Sequence, residues 1–403
     1  MFVLLFITSL NKNKMKKVTL ALMFGFVSAL SFSQTTNDSI IQDSQIEQNS
    51  AQRVISAKDG NAVTLGAYGE IVYNQPEGDN GKLDVHRLVL LLGYEFSDKV
   101  QFFSEIEIEH VEEVYVEQAF INYNVANNLN LRAGLMLVPM GIINEYHEPT
   151  TFNGVERPGM DRSIIPTTWR EIGVGLSGRV NSASLSYQAY VFNGFKSTNA
   201  DGTGLIGGSN GLRGGRQKGI ESTVNKPNFS AKVDYYGILG LRMGLSGYVG
   251  RTQADDEIDH LQGADVGLSM VGLDARYVFN RFSARGQFIY ASLIDTEAYN
   301  DLTGKDLGSA LSGWYAEAAY NLLPEDKEQK LDLFARYEKF NTHADTDGTL
   351  VANDSYNRDE LTMGLSYHIA PGVVLKGDYQ FLDNAAAGND VKNQLNFGVG
   401  VWF

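Results

Sequence analysis

Glu105, Glu107 and Glu109 stand at every second position of one segment. In an extended chain that spacing puts three carboxylates on one face. Lining a pore, such a stripe would attract cations and set ion preference. Arg87 and Arg132 fall in neighbouring segments of the same alternating kind, so a basic wall can oppose the acidic one. Opposed walls would either lay a transverse field across a passage or pair with each other and brace the interior. The Pro- and Gly-containing stretch 139–168 adds Glu145, His147, Glu148, Glu156, Arg157, Asp161 and Arg162. From these, the candidate pore and constriction residues are Arg87, Glu105, Glu107, Glu109, Arg132, Glu145 and Glu156.

Other chemistries find less support. His86 and His368 lie in or beside extended segments, His110 in a tight turn, and His147, His260 and His343 in connections. None has a nucleophile and an orienting partner at a spacing that suggests a triad or dyad. A histidine in a connection reads as a polar surface residue, and no enzyme activity is expected. Gly202-Thr-Gly-Leu-Ile-Gly207 matches the letters of a dinucleotide fingerprint, but it lacks the flanking strand and helix that give those glycines their role. Asp345-Thr-Asp347-Gly348 opens like a calcium loop without its full ligand series or closing Glu. The run Asp255-Asp-Glu257, with Asp259 and His260, reads as a solvated loop tip. No cofactor and no metal site is expected.

The elements that would position the pore residues are strands. Leu88, Leu90, Leu92 and Tyr94 share one face, and Arg87, Gly93 and Glu95 the other. The same period of two recurs to the end of the chain, where Leu395, Phe397, Val399, Val401 and Phe403 alternate with Asn396, Gly398, Gly400 and Trp402. A terminal aromatic closing such a strand is how outer-membrane barrels end. The pattern predicts about sixteen strands, at roughly 22 residues per strand and connection. Tight turns such as Ser97–Lys99, Asn280-Arg281 and Pro371-Gly372 alternate with long connections such as 139–168, 194–225 and 294–312. Glu109 to Glu113 is short where a long one is due. Loop lengths sorted by parity fit periplasmic turns on one side and extracellular loops on the other. A soluble sandwich has no reason to sort them.

Composition agrees. The 403 residues include 42 Gly, 20 Tyr and 21 Phe but only 8 Pro, and no Cys, which excludes disulfides and thiolate metal sites. Lys16 and Lys17 precede the apolar run Val18–Leu30, and small residues follow before Gln34, as in a secretory signal peptide; Met15 is an alternative start. Removing residues 1–33 leaves 29 basic against 48 acidic residues, a net charge of −19. Nucleic acid is therefore not an expected partner. The longest later apolar run, Leu88–Leu92, is too short for a membrane helix. The expected organisation is a signal at 1–33, a polar, loosely ordered periplasmic lead-in at 34–60, and a transmembrane barrel at 61–403.

The strand Glu113–Tyr123, the Gly-x-x-x-x-Pro-Met-Gly exit at Gly134–Gly141 and the terminal Phe403 resemble the phosphate-selective porin O and P family in its Bacteroidota-like form. The resemblance spans the barrel region. It implies a sixteen-stranded, often trimeric outer-membrane diffusion channel whose third loop folds inward as a constriction, set among outer-membrane lipids and passing small hydrophilic solutes or ions. Family members selective for phosphate carry a basic ladder in the lumen. Here the inward set is mixed and mostly acidic, so phosphate selectivity is not expected. The alternative is a poorly conducting barrel that serves as a structural subunit among other envelope proteins.

Overall fold

The computed structural model describes residues 48–57, 62–388 and 391–403, so the expected signal and residues 34–47 lie outside the described residues. The strands are β1 Val63–Pro76, β2 Lys82–Ser97, β3 Val100–Glu109, β4 Glu113–Ala126, β5 Leu129–Leu137, β6 Arg170–Val180, β7 Leu185–Phe192 and β8 Asn228–Ile238. They continue as β9 Leu241–Arg251, β10 Gly267–Phe279, β11 Phe282–Ile294, β12 Ala310–Asn321, β13 Lys330–Asp345, β14 Asn357–Ala370, β15 Val373–Asn384 and β16 Gln394–Trp402. Each pairs antiparallel with its sequence neighbours, and β1 pairs with β16 from Tyr68↔Trp402 to Pro76↔Gln394. The sheet is thus a closed sixteen-stranded barrel, as the alternation predicts.

Closure extends to the last residue. Phe403 N–H donates to the Ala67 carbonyl and Ala67 N–H donates back to Phe403, both at 2.9 Å. Alternation is visible along β12, where Trp314, Ala316, Ala318 and Tyr320 face outward while Tyr315, Glu317 and Ala319 are buried. On β13, Leu333, Ala335, Tyr337 and Lys339 are exposed and alternate with buried Phe334, Arg336, Glu338 and Phe340. An all-round apolar exterior with buried charges inside is what lipid outside and a polar interior require.

The short connections gather at one rim and the long ones at the other, and the three-residue break between β3 and β4 is the short exception expected among the long. The tight rim needs special backbone. Asn280 takes φ +52° in the two-residue turn joining β10 to β11, and Gly372 takes φ +79° between β14 and β15. A Cβ on Gly372 would stand 2.1 Å from the Trp402 carbonyl oxygen, so only glycine fits. His343, expected in a connection, instead lies near the end of β13.

Among the described residues three α-helices accompany the barrel: α1 Ser50–Ser56, α2 Met160–Ser163 in the connection after β5, and α3 Thr296–Thr303 in the connection after β11. The first falls within the stretch expected to be loosely ordered. Asn49 and Gln52 form a reciprocal capping box at its start. Val54 packs where a Cβ on Gly93 would come within 2.4 Å, the Gln101 side chain donates to the Ile55 carbonyl at 3.0 Å, and Arg53 stacks over the Trp402 ring at 4.0 Å. These partners place the helix against the inner wall near the tight-turn rim. Its sequence is polar, but its few apolar groups and its cap are enough once a wall is present to receive them.

Leu273 sits at the middle of β10 on the outer face, beside Leu245 and Phe288. Leu273→Arg is expected to destabilise the folded barrel in lipid vesicles by about 2–4 kcal/mol, with Leu273→Ala costing less. Equilibrium urea unfolding by tryptophan fluorescence measures this, and an Arg variant as stable as wild type would refute the assigned facing.

Candidate functional site

The barrel wall presents its charges inward mostly as pairs. Arg87 bonds Glu70 at 2.7 Å, Lys232 bonds Glu145 at 2.8 Å, Arg242 bonds Asp234 at 3.0 Å and Arg285 bonds Glu317 at 2.8 Å. Arg336 lies 3.4 Å from Glu338 and 3.6 Å from Glu317. All these side chains are largely or fully buried. The inward charges pair, but not as the opposed walls were expected to: Arg87 bonds Glu70 and Arg132 bonds Asn122, not the acidic stripe.

Connection 138–169 is nearly all buried, and its irregular backbone finds its partners on the wall. Wall acids and amides accept from its N–H groups: Gln287 from Ile142 at 2.5 Å, Asp378 from Val155 at 2.6 Å, and Glu338 from Met160 at 3.2 Å. Wall bases donate to its carbonyls: Lys232 to Gly141 at 2.7 Å, Arg87 to His147 at 2.6 Å, Arg285 to Thr151 at 3.1 Å and Arg336 to Glu156 at 3.1 Å. These residues come from β2, β8, β11, β13 and β15, on several sides of the barrel. A mixed set of wall charges is what an irregular chain of alternating donors and acceptors requires, since it lacks the ladder that satisfies a strand.

Apolar side chains of the same connection complete the packing. Met140, Ile142, Ile143, Phe152, Ile164, Ile165 and Trp169 join one continuous buried cluster with wall residues such as Tyr190, Tyr248, Ile289 and Tyr315. The next long connection adds to it, with Arg213 and Arg216 donating to the Thr167 carbonyl at 2.9 and 2.8 Å.

The sequence-predicted residues divide accordingly. Arg87, Glu105 and Glu145 are buried and bonded where the connection meets the wall. Glu145 also accepts from Gln188 at 2.6 Å, and Glu156 is half-buried and accepts from Asn74 at 2.8 Å. Glu107 is buried further along β3, and Glu109 is half-buried at its end. Arg132 stands apart, bonded to Asn122 at 2.9 Å and over the Phe120 ring at 5.2 Å. The three acids of β3 share a face but not a single environment.

Sequence reasoning missed the centre of this region. His147, read as a polar surface residue, is fully buried, with its Nε2 3.0 Å from the Tyr68 hydroxyl, 3.4 Å from Glu117 and 3.7 Å from Glu105. Glu117 escaped because a bulge interrupts β4. Glu105 pairs with Gln118 and Ile106 with Val116, so Glu117 is the extra residue and both it and Gln118 turn inward. A strict period of two cannot register that step. The Glu-rich β3 opposite is the one sequence signal that could have pointed there.

Comparison with known proteins sets this geometry in a family. The sequence profile described as phosphate-selective porin O and P matches residues 67–395. The chain belongs to that family. A relative from Aquifex aeolicus (strain VF5), described as an uncharacterized protein, is 34% identical over 344 residues, covering 82% of this chain and 77% of its own. Among solved structures, the outer membrane channel DcaP of Acinetobacter baumannii superposes with a TM-score of 0.57 at 13% identity, over 85% of this chain and 97% of that one. An anion-selective porin from Comamonas acidovorans gives 0.55 at 14% identity, over 85% and 99%. OmpT of Vibrio cholerae, in a trimer form, gives 0.54 at 12% identity, again over 85% and 99%. At these identities the structural likeness establishes the barrel fold. This porin is an outer-membrane protein, and its family and fold are those of a channel rather than an enzyme.

Two titrating groups in the buried connection tie its packing to pH. Burial alone would lower the His147 imidazole, but hydrogen bonds and charge from Glu105 and Glu117 outweigh it and raise the group from 6.5 to about 9. Burial raises Asp161 from 3.8 to about 7, with Glu338 adding to the shift and the Gln287 bond opposing it. Both folded values lie above the free ones, so both contributions are complete at low pH and fade as pH rises. Asp161 weakens the packing between about 4 and 7, and His147 between about 6.5 and 9, the latter by roughly 3 kcal/mol. Hydrogen exchange of peptides within 139–168, measured with a chelator present and corrected for intrinsic rates, should therefore show falling protection from pH 5 to pH 9. Constant protection over that range would contradict the assignment.

Proposed function

We propose that this porin lets small hydrophilic solutes or ions diffuse passively across the outer membrane, and that connection 138–169 folds into the bore as its constriction. Supporting this reading above all is the bonding of that connection to wall side chains on several sides of the barrel. The long connections then face outward and the tight turns face the periplasm. Arg87, Glu105, Glu145 and Glu156 act at the narrowing, with Glu107, Glu109 and Arg132 along the approaches. Since Arg87, Lys232, Arg242, Arg285 and Arg336 are each matched by an acid, phosphate selectivity is not part of the proposal. A homotrimer in outer-membrane lipid suits a family fold that OmpT also shows in a trimer form.

A second reading has its own observation. The apolar cluster runs from the wall through the connection to Ala51 and Val54 of α1, and Ser50 N–H donates to Glu148 of the connection at 2.6 Å. A bore packed this way would conduct poorly, and the barrel would serve as a structural subunit of an envelope assembly. Planar-bilayer recording separates the two. Wild-type protein is expected to give small, discrete steps. Gly93→Val, which takes the space occupied by Val54 without altering a lumen charge, should raise unit conductance up to several-fold, and shortening 142–166 should raise it further. Conductance that ignores both changes would remove the connection from the permeation path, and silence in all three proteins would favour the structural reading.

A further inference from the structure

Four donor atoms from four separate elements converge where the buried connection meets the wall: Tyr68 Oη from β1, Glu105 Oε1 from β3, Glu117 Oε2 from the β4 bulge and His147 Nε2 from the connection. All four residues are fully buried. From Nε2 the oxygens lie at 3.0 Å (Tyr68), 3.4 Å (Glu117) and 3.7 Å (Glu105), and the Tyr68 hydroxyl lies 2.7 Å from Glu105 and 3.3 Å from Glu117. A tetrahedral shell with metal–ligand bonds near 2.1 Å has edges of about 3.4 Å. Five of the six edges of the cluster, from 2.7 to 3.7 Å, bracket that length.

The outer contacts point the same way. His147 Nδ1 lies 3.3 Å from the Asn144 carbonyl, which turns Nε2 toward the three oxygens. Asn144 is itself clamped, its amide donating to the Val138 and Trp169 carbonyls at 2.8 and 3.0 Å and its oxygen accepting from Trp169 N–H at 2.7 Å. The second oxygen of Glu105 accepts from Gln118, and that of Glu117 accepts from the Thr168 hydroxyl, both at 2.5 Å. His147, Glu105 and Glu117 thus each have a supporting contact behind the ligand atom, as outer-shell partners of a metal do. Without an ion, the phenol O–H and one ring N–H must serve several close contacts among two carboxylates, a phenol and an imidazole.

We propose that Glu105, Glu117 and His147, with the Tyr68 hydroxyl at the fourth corner, bind a divalent transition ion of the size and preference of Zn2+. Binding displaces the proton from His147 Nε2 and ties connection 138–169 to β1, β3 and β4. One nitrogen with oxygen donors in a tetrahedral array suits Zn2+ and not Ca2+ or Mg2+, which favour larger or octahedral all-oxygen shells. Because the ligands are buried, the ion enters as the barrel folds. The site does not depend on whether the bore conducts.

The test uses the full-length barrel folded in detergent with Zn2+ and then freed of loose ions by gel filtration. Mass spectrometry of the metal should find about one Zn2+ per chain. Co2+ in its place should give the visible ligand-field bands of a four-coordinate site. Glu117→Gln should lose the ion. His110→Ala, which alters the half-buried to exposed Asp84, His86 and His110 group elsewhere, should retain it. Should the Gln variant fail to fold, Thr168→Val removes only the contact behind Glu117 and is expected to weaken Zn2+ binding by roughly 10–100-fold. Wild-type protein that retains no stoichiometric ion, or equal retention by wild type, Glu117→Gln and Thr168→Val, overturns the proposal.

Discussion

Hydrocarbon offers a backbone amide nothing to bond, and the rest of this molecule follows from that. Each unsatisfied group in lipid costs several kcal/mol, so a sheet that crosses the bilayer must have no edge. The β1–β16 seam meets the demand over Tyr68–Pro76, and Phe403 extends it beyond the last strand. Once the sheet is closed, alternation leaves no freedom. Every second side chain faces lipid and must be apolar, and the others face an enclosed volume that polar groups can share only by satisfying each other.

The enclosed volume explains the charge pattern better than a permeation field alone does. Burying a charge is costly unless it is paired and hydrogen-bonded. Here the pairing is fourfold: wall acid to wall base, wall base to loop acid, wall acid to loop N–H, and wall base to loop carbonyl. Lys232 shows the economy, meeting Glu145 and the Gly141 carbonyl of the connection while lying 3.5 Å from Asp274. The same residue would be an expensive orphan were the connection displaced. The wall charges and the irregular backbone depend on each other, which is why neither can be read alone.

That dependence marks what was legible in the sequence. Faces such as Leu333 and Tyr337 against Arg336 and Glu338 were plain, because lipid imposes one rule on every strand. The loop-length parity was plain for the same reason. Glu117 was not, since a bulge advances the pattern by one residue and leaves no compositional mark. Neither was His147, 30 residues from the nearest of its wall partners in sequence, whose burial depends on where an irregular segment docks. Helix α1 was hidden differently: its polar composition suits solvent, and only the gap beside Gly93 and the ring of Trp402 give its apolar side a place.

How the docked segment moves follows from how it is held. Ordering a chain costs roughly 1–2 kcal/mol per residue, while a hydrogen bond to a charged group returns roughly 1.5–3 kcal/mol. The wall bonds reach only some positions between 138 and 169, so the buried side chains of Ile142, Ile143, Ile164, Ile165 and Trp169 must supply the remainder. Lifting one part would strand wall charges at once and expose apolar surface next to them. Partial opening is therefore penalised twice, and the segment should yield as a unit or hardly at all. Permeation in such a barrel would depend on the gaps left by a nearly rigid filling, with flexible fluctuations of single side chains contributing little.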